Sequence, residues 1–174
     1  GYKTAKNLIH YLADNVSKNG YMLLNVGPKP NGEIPEEAKQ VLREIGRWLE
    51  VNGEAIYGTT PWKVAAEGPT VMGAYGDMSE LHDIEYLPKD IRFTMKDDIL
   101  YAICLGEIGD EVIITTLAEH LYPGEIASIT LLGDGGELPW KQEGKKLIVH
   151  TGGAKGRKDA NVLKIRRNQI YRND

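Results

Sequence analysis

The sequence predicts a multidomain α+β chain, with a helix–strand–helix segment over residues 1–60 and an antiparallel β-sandwich over residues 61–174. Two observations carry that prediction. Up to Leu49 the apolar residues recur at spacings of three and four, the period of helices lying on a buried layer. From about Thr60 the pattern changes to short runs rich in Val, Ile, Thr and Tyr, broken by Gly and Asp, as in strands joined by turns.

The first helix is marked by Ala5, Leu8, Ile9, Leu12, Ala13 and Val16, with Thr4 placed to cap its start and Gly20 to end it. Residues 21–26, Tyr-Met-Leu-Leu-Asn-Val, form an apolar run without alternation, which predicts a strand covered on both faces; Gly27 and Pro28 stop it. After a polar loop, Pro35 suits a first helical turn, and Ala38, Val41, Leu42, Ile45, Trp48 and Leu49 make a second helical stripe that Asn52-Gly53 ends. A single strand covered on both faces cannot satisfy its own edge groups, so companion strands are expected before residue 1. In the second region strands are expected over 91–96, 99–106, 111–117, 126–132, 146–150 and 161–166, with tight hairpins at Asp97-Asp98 and Gly144-Lys145. Residues 67–90, carrying Gly68, Pro69, Gly73, Gly76 and Pro88, read as a long irregular loop.

Composition narrows the function classes. A chain of 174 residues can bury a real core, hiding roughly 70% of its unfolded surface. Its 21 basic and 25 acidic residues are interleaved, so there is no cationic stripe for a phosphate backbone and nucleic acid is not an expected partner. No window approaches the roughly 18 consecutive apolar residues of a membrane span. Cys104 is the only cysteine, which excludes an intrachain disulfide and a multi-cysteine zinc site.

Several motifs stand together. Leu8-Ile9, Ser17-Lys18-Asn19-Gly20, Leu23-Leu24-Asn25-Val26-Gly27-Pro28, Gly32 and Ile34-Pro35 are followed by Ile45-Gly46-Arg47-Trp48-Leu49, Val51 through Thr59, and Pro61-Trp62. In this order they resemble the end of the catalytic (β/α)8 barrel of glycoside hydrolase family 29, the α-L-fucosidases, and its exit into a C-terminal β-sandwich. Looser similarity at Asp90 to Thr94, Leu100 to Ile103 and Leu131 to Gly133 extends it along nearly the whole chain. The resemblance implies a parent protein that is a retaining hydrolase of terminal α-L-fucosides, with fucosylated glycan as substrate and no cofactor or metal. In such an enzyme one carboxylate forms a glycosyl-enzyme and a second acts as acid and then base. The family's catalytic residues precede the region represented here, so none is carried over, and about six strands of an eight-stranded barrel are expected in a missing N-terminal portion. The chain alone is therefore expected to be inactive. Periplasmic or secreted localisation is a family-level expectation only.

Within this chain, Asn25 is the candidate substrate-binding residue, because active sites of such barrels lie at the C-terminal ends of the strands. Hydrogen bonding to neighbouring loops in the barrel mouth is the commoner role of an amide placed there. Glu33 with Glu36 or Glu37 invites a reading as a catalytic carboxylate pair, but acids in a first turn complement the helix dipole. His10, His82, His120 and His150 lack zinc-motif spacing. Cys104, inside an apolar run, reads as a small buried hydrophobe. The basic turn at Lys155 to Lys158 reads as solvated, and the glycines at 133–136 and 152–153 as turns. Trp48 belongs to the core; Trp62 reads as a wedge between the two regions; Trp140, at a sandwich rim, can stack on a sugar ring, though filling a domain junction is the commoner use of such an aromatic. The competing class is a non-catalytic carbohydrate-binding or scaffold sandwich, and an uncovered strand at 21–26 would promote self-association.

Overall fold

The computed structural model describes residues 3–70, 84–121, 124–153, 156 and 158–168. His82, Lys155, Arg157 and residues 71–83 of the expected loop lie outside these residues. The first helix, α1, spans Ala5–Ser17. The Thr4 hydroxyl accepts from the Asn7 N–H at 3.2 Å, satisfying one donor of the first turn. At the other end the backbone turns left-handed at Asn19 (φ 63°) rather than at Gly20. Gly20 N–H then reaches the Asn15 carbonyl at 2.7 Å and Asn19 N–H the Val16 carbonyl at 3.1 Å, the double closure of a Schellman cap. The second helix, α2, spans Glu36–Asn52, with Pro35 at its cap position and Glu36 and Glu37 in its first turn. A single 3-10 turn, Gly53–Ala55, follows.

The strand expected at 21–26 is not formed. These residues make no ladder, and Tyr21 and Leu23 are 96% and 89% exposed. The reason is physical: a strand is defined by its neighbours' hydrogen bonds, and no described residue lies alongside to supply them.

Beyond the helices the described residues form eight strands: β1 Thr60–Glu67, β2 Ile91–Lys96, β3 Ile99–Cys104, β4 Glu111–Ile114, β5 Ile126–Leu131, β6 Trp140–Glu143, β7 Lys146–His150 and β8 Asn161–Arg167. A short helix, α3, Thr115–His120, follows β4 directly. The strands form two antiparallel sheets, in the orders β1-β2-β3-β8-β5 and β4-β7-β6. Both expected hairpins are present as two-residue turns: Lys96 pairs with Ile99 and Glu143 with Lys146, with Asp97 (φ 54°) and Gly144 (φ 59°) in the left-handed region. Pro61 is tolerated in β1 because that strand is an edge, interrupted by an irregularity between Pro61 and Ala66.

Alternation along the large sheet explains its double burial. Ile91, Phe93, Leu100, Ala102, Cys104, Leu163 and Ile165 face the small sheet and form the sandwich core with Val112, Ile114, Leu147 and Val149. The alternate positions Tyr101, Ile103 and Val162 face the helices and cluster with Ile9, Ala13 and Trp48. The result is three layers: helices, five-stranded sheet, three-stranded sheet. Trp48 Nε1–H donates to the Ala160 carbonyl at 3.0 Å, so the large aromatic is satisfied as well as buried.

Two differences from the sequence reading have local causes. The run at 111–117 stops being a strand at Ile114 because the Glu67 carboxylate accepts from the Thr115 N–H (2.9 Å) and the Thr116 N–H (2.8 Å), capping a helix from across the sheet. Trp62 is buried in the sandwich core, edge-on to Phe93 at 5.5 Å, and is not a wedge between regions.

Candidate functional site

Asn25 is exposed and lies in the segment between α1 and α2. It lines an open groove of about 220 Å³ whose walls are Leu8 of α1, Ala38, Val41 and Leu42 of α2, and Leu24 and Val26 of the segment itself. An adjoining hollow of about 340 Å³ is bounded by Leu8, Tyr11, Asn15 and residues 21–24. Lys3, Asn25, Asn15 and the Tyr11 and Tyr21 hydroxyls are polar groups of these walls; among the described residues no carboxylate, imidazole or thiol lines either one. Such a surface can receive an apolar segment and offers an amide, an ammonium and two phenol hydroxyls as hydrogen-bond partners.

The other candidates separate in space and chemistry. Glu36 is fully exposed and paired with Arg43 at 2.8 Å and Lys39 at 3.4 Å. Those hydrogen bonds, Arg43's first, hold its carboxyl below the ordinary range, the opposite of what a general acid needs. His150 sits 3.0 Å from Glu111 on neighbouring strands. The exposed His120 has its ring 6.0 Å from that of Trp62 and Nδ1 3.1 Å from the Thr116 carbonyl. Among the described residues no group of three or more His, Cys, Asp or Glu is placed to hold a metal ion. Burial pushes the Cys104 thiol up to about 12, so it carries no thiolate at neutral pH. Trp140, on the edge strand β6, is half-buried against the sandwich core. Gly133, Gly135, Gly152 and Gly153 have positive φ and stand in turns. No described helix is long and apolar enough to cross a membrane.

Sequence reasoning missed the buried polar seam between α1 and the large sheet. Arg92 Nε–H donates to Asp14 Oδ1 at 2.5 Å, with both side chains 2% exposed. Lys18 adds a 2.6 Å contact to the other carboxylate oxygen. Its signal is an arginine at the second position of the run Ile91-Arg92-Phe93-Thr94, on the face opposite Ile91 and Phe93. Nothing local to the sequence connects it to Asp14, 78 positions away.

With this geometry described, likeness to known proteins is informative. A family model described as Alpha-L-fucosidase matches residues 1–54. The chain is 45% identical over 151 residues to the plasma alpha-L-fucosidase of Rattus norvegicus, covering 85% of this chain and 28% of the relative. It is 36% identical over 139 residues to an alpha-L-fucosidase of Branchiostoma floridae, covering 80% and 26%. The crystal structure of Thermotoga maritima alpha-fucosidase superposes with a TM-score of 0.73 at 30% identity, covering 94% of this chain and 34% of that one. The alpha-L-fucosidase isoenzyme 1 of Paenibacillus thiaminolyticus gives 0.72 at 29%, covering 96% and 35%. The chain thus spans about a quarter to a third of the length of the proteins it matches. Its antiparallel sheets match the C-terminal β-sandwich of the solved fucosidases, and the helical segment is consistent with the remnant of a barrel. By sequence and by fold, the chain belongs to the α-L-fucosidase family, glycoside hydrolase family 29.

Proposed function

We propose that this chain is the buttressing part of a retaining α-L-fucosidase that hydrolyses terminal α-L-fucosides of glycans, and that it does not turn over substrate alone. The observation that carries this reading is the groove around Asn25: apolar, open, and lacking any acid, beside a chain that matches about a third of a solved fucosidase. A retaining mechanism needs two carboxyl groups about 5 Å apart, one kept protonated. The exposed acids at the start of α2 do not meet that need, since Glu36 is held ionised by Arg43 and Lys39.

In this reading residues 1–60 are the last helix–strand–helix unit of the barrel and residues 61–174 the sandwich domain. The remaining barrel covers the groove, pairs with residues 21–26, and completes the strand they cannot form alone. Asn25 then stands at the barrel mouth, where it offers hydrogen bonds to the sugar or to a loop holding it.

The test is hydrolysis of a chromogenic α-L-fucoside by the chain and by the full-length protein that contains it. Turnover by the full-length protein only is the expected result; turnover by the chain itself would overturn the buttress role. Asn25→Ala in the full-length protein should raise KM about tenfold, the effect of losing one or two sugar hydrogen bonds. An unchanged KM would remove Asn25 from the substrate site. Saturable fucose binding by the isolated chain, lost on Trp140→Ala, would instead favour a carbohydrate-binding module.

A further inference from the structure

The seam between α1 and the large sheet contains one group that the fucosidase reading does not use. His10 is 1% exposed and meets two separate pieces of chain, the loop before β8 and the segment before β2. Its Nε2–H donates to the Asp159 carbonyl, 2.5 Å away on the loop entering β8. The ring stands edge-on to Tyr86 at 4.8 Å, and the Arg92 guanidinium of β2 lies 5.6 Å from the same tyrosine ring. Nδ1 makes no hydrogen bond at ordinary geometry, though the Leu105 backbone, like that of Asp159, favours a charged ring; the Tyr86 hydroxyl is buried without a partner among the described residues.

The charged and titratable groups around this ring are unequally divided. From α1 itself come Lys6, Tyr11 and Asp14; from the segment before β2, Tyr86 and Asp90; from β2, Arg92; and from the loop before β8, Asp159. The second helix contributes only apolar neighbours to the adjoining cluster, Ile45, Trp48 and Leu49. The Asp14 carboxylate is already engaged by Arg92 and Lys18. Asp90 is engaged as well, accepting from the Thr70 N–H and hydroxyl and from the Leu87 N–H. A proton on His10 would therefore add a buried cation near Lys6 and Arg92, with the Asp14 and Asp90 carboxylates committed elsewhere.

We propose that His10 is an acid-sensitive latch, which in its neutral form pins α1 to the large sheet and when protonated releases α1 while the sandwich stays folded. The division of the core supports the second half of this statement. The clusters on the two faces of the large sheet share no residue, and His10 lies at the helical face alone. Burial pushes the His10 pKa down to about 4, the Asp159 carbonyl pulling back upward and Lys6 and Arg92 adding to the depression. The sign follows: a released helix takes up the proton near the ordinary value of about 6.5. The latch is thus at full strength above that pH and is lost as pH falls from there through about 4.

Amide hydrogen exchange on the full 174-residue chain tests this, read as protection factors from pH 7.5 to 3.5. At pH 4 the protection of α1 should fall about a hundredfold while β3 and β8 hold theirs, each pKa unit being tenfold. His10→Gln keeps an N–H donor but cannot take up a proton, and should keep α1 protected across the range. Should that variant not fold, the His10 ring resonances of the unaltered chain decide, since their titration must coincide with loss of α1 protection. Simultaneous loss in α1, β3 and β8, a ring that titrates near 6.5 with α1 still protected, or a His10→Gln chain that opens like the original would each overturn the latch.

Discussion

At the scale of single residues, the Asp14–Arg92 pair shows how a buried charge is tolerated. Arg92 spends its donors on Asp14, on the Ile91 carbonyl at 3.1 Å and on the Thr70 carbonyl at 3.3 Å. Asp14→Asn would leave the guanidinium buried without its counter-charge and should cost about 3–5 kcal/mol in urea unfolding, a large share of a typical domain's stability. The double change Asp14→Leu with Arg92→Met should recover most of that loss, because neither charge is then left alone. If the double variant is no more stable than the single one, the pair contributes packing rather than charge compensation. Gly68 belongs to the same corner: at φ +104°, its added Cβ would lie 2.3 Å from Asp90 Oδ1, so even alanine cannot be placed there without moving the carboxylate that holds Thr70. None of this is visible in composition or spacing, since each partner is ordinary in its own segment and the meeting is made by the fold.

At the scale of elements, legibility followed how local the cause was. The α1 stripe, its Thr4 cap and the hairpins at Asp97 and Gly144 depend on residues a few positions apart, and all are present. The end of α1 shifted by one residue because Asn19 tolerates a left-handed backbone, leaving Gly20 to close the cap. Thr4→Ala should therefore lower the urea midpoint by the equivalent of about 1 kcal/mol without changing the slope. An unchanged midpoint would mean that the Asn7 N–H finds another acceptor. Elements with distant causes were not readable. The short helix α3 is started by Glu67, 48 positions earlier, and β6, Trp-Lys-Gln-Glu, has too little apolar pattern to announce a strand. Residues 21–26 read as a buried strand because their composition is that of one, while among the described residues no neighbour pairs with them.

At the scale of the whole molecule, the three layers leave one side unfinished. Tyr21, Leu23 and Leu42 stand exposed around the groove by Asn25, an apolar surface of the kind that drives association. Light scattering on the chain alone should show a mass that rises with concentration, and Leu23→Lys combined with Leu42→Lys should return it to the monomer. A chain that stays monomeric at high concentration would show that this surface is not sticky enough to pair. The core of the sandwich has another consequence. Cys104 sits in β3 at 0% exposure, with the small sheet on one side and β2 and β8 as strand neighbours. A thiol so placed works as a stopwatch: a colour-forming disulfide reagent in excess can reach it only when the central strands part, so labelling progress in native buffer times the molecule's deepest breathing motion without any engineered probe.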